Sequence, residues 1–196
     1  MSSIQRYRNL ILVIVAILVL VVATPLIEQY VSAPKTEPLT ELSILGSYHN
    51  ATYPYNLTSG DVYPLYVTIN NELGSQARYK LEVKFRNQDQ SGPDSFDHTA
   101  SSLPSLAAFT FEVDDGKSVE SQINLEFTYH TDSRKATLDS IVVNGTKVDM
   151  DNLSVEWDSD ANAYLGNLFF ELYLYDASLD SFVYHQRYVS LWVNLG

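Results

Sequence analysis

The sequence predicts an all-β fold, a two-sheet antiparallel sandwich behind one N-terminal apolar helix. Three observations carry that prediction. Side chains alternate with a period of two from Leu39 onward, turn signals recur at short intervals, and one unbroken apolar run, Leu10–Ala23, stands apart from the rest.

The apolar run comes first. Its 14 residues, LILVIVAILVLVVA, have no polar face and would span about 21 Å as a helix. Extension to Ile27 gives about 27 Å, enough to cross a bilayer that thins slightly. Tyr7 and Tyr30 flank the run, and Arg6 and Arg8 precede it. Bases on that side keep the N-terminus in the cytoplasm and place the remainder outside. The expected organisation is a cytoplasmic tip over residues 1–9, a transmembrane signal-anchor helix over 10–30, a proline-containing spacer over 31–38 and an extracytoplasmic domain over 39–196. A cleaved signal peptide ending near Ala23 is the competing reading, and it puts the same domain outside the cytoplasm.

The domain reads as strands. Tyr79, Leu81, Val83 and Phe85 alternate with Lys80, Glu82, Lys84 and Arg86. Ile123, Leu125, Phe127 and Tyr129 alternate with Gln122, Asn124, Glu126 and Thr128. Each pattern gives one dry and one wet face. Further strands are expected at Leu39–Leu45, Val62–Asn70, Ala107–Val113, Ser140–Val143, Thr146–Met150, Leu153–Trp157, Asn167–Tyr175 and Phe182–Leu195. Asn144-Gly145 between β-branched arms is the strongest hairpin signal, because it supplies two positive φ angles for a type I′ turn. Asp115-Gly116 is a second turn. Pro54 and Pro64 belong at edges or strand ends, since proline cannot donate to a ladder. Residues 87–106 are polar and read as a long exposed loop or insertion with little to bury. A closed barrel would fit the same pattern as a sandwich.

Composition narrows the function. The chain has 196 residues, a net charge of −12 and no cysteine. Absent thiols exclude disulfide staples, thiolate zinc sites, iron–sulfur clusters and thiol catalysis. Residues 89–196 hold 5 bases against 18 acids; such a surface repels phosphate, so no nucleic-acid partner is expected.

Some residues resemble a known family. Tyr53-Pro54-Tyr55-Asn56-Leu57-Thr58-Ser59-Gly60 resembles the Tyr-Pro-x-Asn-Leu-Thr-x-Gly signature of domain of unknown function 1616, a family of predicted archaeal and bacterial membrane proteins. Thr40-Glu41, Leu45-Gly46, Asn70-Asn71-Glu72 and Tyr79–Val83 follow its order. Leu168–Tyr175 and Ser190–Val193 resemble its closing strands. The resemblance covers roughly 39–86 and 167–195 and leaves 87–166 as an enlargement. It implies an extracytoplasmic immunoglobulin-like domain, and it brings no activity and no catalytic residues.

Candidate sites are few. Four sequons (Asn50, Asn56, Asn144 and Asn152) are potential glycan acceptors outside the cytoplasm. Asp158, Asp160 and Asn162 place oxygen ligands at alternate positions, as calcium loops do; Ala163 and Phe169 stand where an EF-hand needs glycine and glutamate. Calcium is therefore the one cofactor to consider. His49, His98, His130 and His185 share no metal spacing, and no nucleophile motif occurs, so an enzyme is not expected. Two tyrosine groups, Tyr48–Tyr66 and Tyr173–Tyr188, suit either a half-buried core or a contact face. Phe169, Tyr173 and Tyr175 oppose Phe170, Leu172 and Leu174, so that strand is either covered twice or exposes a binding surface. The leading expectation is a single-pass, membrane-anchored cell-surface protein with a structural or interaction role, contacting the envelope or a protein partner in a membrane complex. The alternative is a carbohydrate- or calcium-binding extracellular module.

Overall fold

The computed structural model describes residues 7–8, 10–19 and 38–196. Residues 10–19 are helical. Among the described residues, no helix is long and apolar enough to cross a membrane. Most of the expected tip, the second half of the expected span and almost all of the spacer lie outside the described residues.

From Leu39 the chain forms a compact unit of nine strands: β1 Leu39–Leu45, β2 Val62–Glu72, β3 Ala77–Arg86, β4 Ala107–Val113, β5 Lys117–Thr131, β6 Lys135–Val143, β7 Thr146–Asp158, β8 Ala163–Asp176 and β9 Ser181–Asn194. Every ladder between strands is antiparallel. One set pairs in the order β1-β2-β5-β6-β7 and the other in the order β4-β3-β8-β9. A two-residue ladder, Trp157–Tyr164 and Asp158–Ala163, joins them. The pairing is open, because no ladder among the described residues closes it into a barrel.

Nine strands replace the ten expected because Thr146–Met150 and Leu153–Trp157 are one strand. Asp151 and Asn152 take positive φ and let β7 continue past an irregularity opposite Leu138–Ser140. Asn144 and Gly145, at φ 47° and 82°, form the expected hairpin turn. Pro64 lies in β2 before the β1 ladder begins at Tyr66, so the strand there has a partner on one side only.

The dry faces of both strand sets share one core. Ile44, Val67, Ile123, Leu125 and Ile141 come from the first set, and Tyr79, Leu81, Val83, Phe170 and Leu172 from the second. Phe85 meets Phe127 across it with ring centroids 5.9 Å apart. Gly166 makes room for Phe85: a Cβ on that residue would lie 2.2 Å from the Phe85 ring. A polar chain also crosses this interior. His185 Nε2 is 2.9 Å from the Thr40 hydroxyl, which is 3.0 Å from the Tyr79 hydroxyl, and Tyr79 donates to Asn71 Oδ1 at 3.0 Å. Asn71 then donates to the carbonyls of Ser75 and Val113. It thereby ties the end of β2 to the end of β4.

Candidate functional site

The outer face of β3, β8 and β9 carries the densest chemistry in the domain. The register sets Lys84 beside Phe169, Glu82 beside Glu171, and Lys80 beside Tyr173. On the other side Asn167 pairs with Trp192, Tyr173 with Tyr184, and Tyr175 with Phe182. Alternation alone makes Lys84 a solvated residue. It is instead 3% exposed and Glu171 is fully buried.

The cover is the segment between β3 and β4. Glu171 Oε2 accepts from Lys84 Nζ at 2.7 Å and from the Tyr173 hydroxyl at 2.9 Å, while Oε1 accepts the Ser101 amide at 2.6 Å. Lys84 Nζ also donates to the Ser101 carbonyl at 2.9 Å. Asn87 donates to the Ser154 carbonyl of β7, and Leu106 is buried. Residues 87–106 thus form a loop, as the sequence suggested, but one with definite burial: a charged pair closes against its backbone. Each charge has a partner and the remaining donors and acceptors are met, which a buried pair requires.

Charge and aromatic rings interleave on this face. Burial pushes the Glu82 carboxyl up, but hydrogen bonds and charge from Lys80 and Lys84 outweigh it and hold the carboxyl below its ordinary value. Burial beside Glu171 raises the Tyr173 hydroxyl and takes Tyr184 up to about 12. Lys80 lies over the Tyr173 ring, and Arg78 over Tyr175 and Phe182. The tyrosines meet edge to face, Tyr173 on Tyr184 at 5.6 Å. They form a cross-strand ladder rather than a flat exposed platform.

At the far end of this face the sheet opens into a concavity of about 470 Å³, lined by Gln88, Glu156, Trp157, Asp158, Leu165 and Trp192. Trp157 and Trp192 are the chain's only tryptophans, and they are 41% and 47% exposed. The Arg86 guanidinium sits 5.4 Å from the centre of the Trp192 ring, held by Asn167 and the Gln90 carbonyl. Trp157 packs edge-on against Tyr164 at 4.8 Å. A second concavity of about 500 Å³ lies on the other side of Trp157 and Glu156. Sequence reading passed over these tryptophans, although a signal was present. Trp192 falls between the buried Leu191 and Val193, which places it on the outer face of β9.

The other expected residues are dispersed. Asp158 Oδ1 accepts the amides of Asp160 and Ala161 and so caps the turn before β8; Asn162 completes that turn at φ 51°. Asp160 and Asn162 are exposed. Among the described residues, no group of three or more His, Asp or Glu side chains is placed to hold a metal. Asn50, Asn56, Asn144 and Asn152 are all exposed. Asn144 Oδ1 accepts the Asn124 amide and Asn56 Oδ1 accepts from Asn194. His49 lies by Glu120 and His130 by Asp139, apart from the other histidines.

The Tyr53–Gly60 motif explains itself structurally. Tyr53 donates to the Ile44 carbonyl, Leu57 is buried, and its amide bonds the Asn194 carbonyl. Ser59 donates to the Tyr129 carbonyl, and the Tyr129 hydroxyl to that of Leu57. The motif fastens the β1–β2 connection onto the ends of β5 and β9.

These features define an antiparallel all-β domain with a charged and aromatic surface on one outer face. The chain belongs to the family described as domain of unknown function (DUF1616), whose model matches residues 33–152. The matched span contains the Tyr53–Gly60 motif. It also contains residues 87–152, so that stretch belongs to the family's domain and is not an enlargement of it, and the match ends before β8. No curated protein matches the chain.

Proposed function

We propose that this is a membrane-anchored cell-surface protein whose immunoglobulin-like domain binds a component of its surroundings rather than transforming it. The observation that carries the binding role is the concavity in which both tryptophans stand half-exposed beside two carboxylates and an amide. Aromatic bodies with a few polar groups in a cleft of this size are the usual make-up of a ligand site, about 300–1,000 Å³. Support for the anchor is the apolar run Leu10–Ala23 behind Arg6 and Arg8.

Support for an immunoglobulin-like sandwich comes from strand order. The sets β1-β2-β5 and β4-β3-β8-β9 follow the two-sheet plan of that class, with β6 and β7 as an added hairpin. Tyr164, at the start of β8, donates to the Asp132 carbonyl just after β5 and so ties the second strand set to the first beneath that hairpin.

The absence of cysteine makes the topology test free of background. Ser47→Cys, in the exposed turn after β1, is expected to react with a membrane-impermeant maleimide on intact cells, and Ser3→Cys only after lysis. Labelling of Ser3→Cys alone on intact cells would reverse the orientation. Full release of the protein by a carbonate wash would remove the anchor.

A further inference from the structure

We infer that the Trp157–Trp192 concavity is a binding site for neutral carbohydrate. The inference rests on the binding role proposed above and gives it a ligand class. A pyranose ring presents a C–H face that packs on an aromatic ring and an edge of hydroxyls that need hydrogen-bond partners. The cavity offers both kinds of surface. Trp157 and Trp192 supply broad, rigid, solvent-accessible rings at little cost in conformational entropy. Glu156, Asp158 and Gln88 line the same cavity, and residues of these types carry acceptors and, for glutamine, two donors as well. Asp158 is already fixed in direction, because its Oδ1 holds the turn amides of Asp160 and Ala161. Trp157 stands between this concavity and the second one, of about 500 Å³, lined in part by Ser133, Arg134 and Lys135. Two adjoining clefts of this size suit a short stretch of glycan rather than a single sugar.

Charge selects among ligands. A cationic ligand would find the Arg86 guanidinium already over the Trp192 ring at 5.4 Å, and like charges so close repel. An acidic sugar would face Glu156 and Asp158, while Asp132, Arg134 and Lys135 set charges of both signs around the adjoining cleft. A neutral glycan avoids both penalties.

Because the two tryptophans are the chain's only ones, fluorescence excited at the red edge, where the 14 tyrosines do not absorb, reports on this site alone. The full-length protein, in a detergent without a sugar headgroup, is titrated with neutral oligosaccharides of hexose and of N-acetylhexosamine. Acidic oligosaccharide and tetramethylammonium serve as parallel arms. The expected result is a saturable change in emission with at least one neutral oligosaccharide. Trp192→Ala and Glu156→Gln each weaken binding about tenfold or more, while Tyr48→Ala, on an exposed turn elsewhere, leaves it unchanged. Should Trp192→Ala perturb folding, saturation-transfer NMR on the unmodified protein reads the same contact from the sugar protons. Tetramethylammonium or acidic sugar binding better than every neutral glycan would overturn the carbohydrate assignment and leave the binding role standing. No response to any arm would overturn both the assignment and the cavity as the binding site, and leave the surface location to the cysteine labelling.

Discussion

Strands β5 and β8 both lie inside their sets, yet they solve burial differently. On β5, Ile123, Leu125 and Phe127 are buried while Gln122, Asn124, Glu126 and Thr128 face outward, half-buried or exposed. On β8 both faces are buried from Gly166 to Leu172, including Asn167, Phe169 and Glu171. A strand with one wet face needs only alternation. One covered twice needs a second layer, and here that layer is residues 87–106, fastened through Lys84 and Glu171. Polar residues therefore carry different weight on the two strands. On β5 they are solvated; on β8 a single carboxylate organises a lysine, a tyrosine and a loop amide.

The sharpest way to break that contrast is to remove Glu171. Glu171→Ala leaves Lys84 charged and buried, and is expected to cost about 3–5 kcal/mol in denaturant unfolding. The paired change Lys84→Met with Glu171→Leu recovers part of the loss, because it removes both charges from the interior but leaves the Ser101 amide and carbonyl and the Tyr173 hydroxyl without those partners. Glu126→Ala, its counterpart on β5, stays within about 0.5 kcal/mol. Equal losses at the two glutamates would erase the distinction between the strands.

Crowding gives a smaller effect. Gly166→Ala drives a methyl into Phe85 and so disturbs its contact with Phe127. Overpacking of this kind costs about 1–3 kcal/mol, read as a lower melting temperature.

The interior polar chain sets a pH dependence. Burial, with Arg187 nearby, lowers the His185 pKa below its ordinary 6.5. The unfolded chain therefore takes up the proton first as pH falls below about 6.5, and stability declines from there until the folded histidine also protonates. Carboxylates held low, such as Glu82, Asp94, Asp132 and Asp176, add their losses further down, below the ordinary carboxylate range. Unfolding curves between pH 7.5 and 5 should slope for the natural protein and flatten for His185→Gln. Equal slopes would place the dependence elsewhere.

The smallest effect concerns Ser140. Among the described residues its Oγ is the one buried side-chain polar atom without a hydrogen-bond partner. Ser140→Ala is expected to be neutral or to stabilise by about 1 kcal/mol, since no bond is lost and a desolvated hydroxyl is removed. A loss above 1 kcal/mol would mean that the hydroxyl has a partner in solution.

Local patterns made much of the fold legible. Leu39–Leu45 and Ala107–Val113 form the strands expected of them, and Asn144-Gly145 turns where its φ preferences demand. Legibility failed where one segment acts on another distant in sequence. Lys84 alternates like a solvated residue, and only contact with Glu171 and Ser101, 87 and 17 positions away, buries it. The join of Thr146–Met150 to Leu153–Trp157 depends on two positive φ angles at Asp151 and Asn152, residues that tolerate them but also form ordinary turns. The candidate site needed the same long-range information. Trp192 is readable as outward-facing; its place in one concavity with Trp157, on a distant strand, is not.

The claim that β8 is covered twice meets its most direct test at one amide. The Ser101 N–H points to the buried Glu171 carboxylate, whereas the amides of Phe96 and Asp97, in the same loop, bond only to the exposed Asp94. In native-state hydrogen exchange Ser101 should be protected to the level of the β8 amides, with Phe96 and Asp97 exchanging far faster, and Glu171→Ala should abolish the difference. A Ser101 amide that exchanges as fast as its loop neighbours in the natural protein would contradict the account.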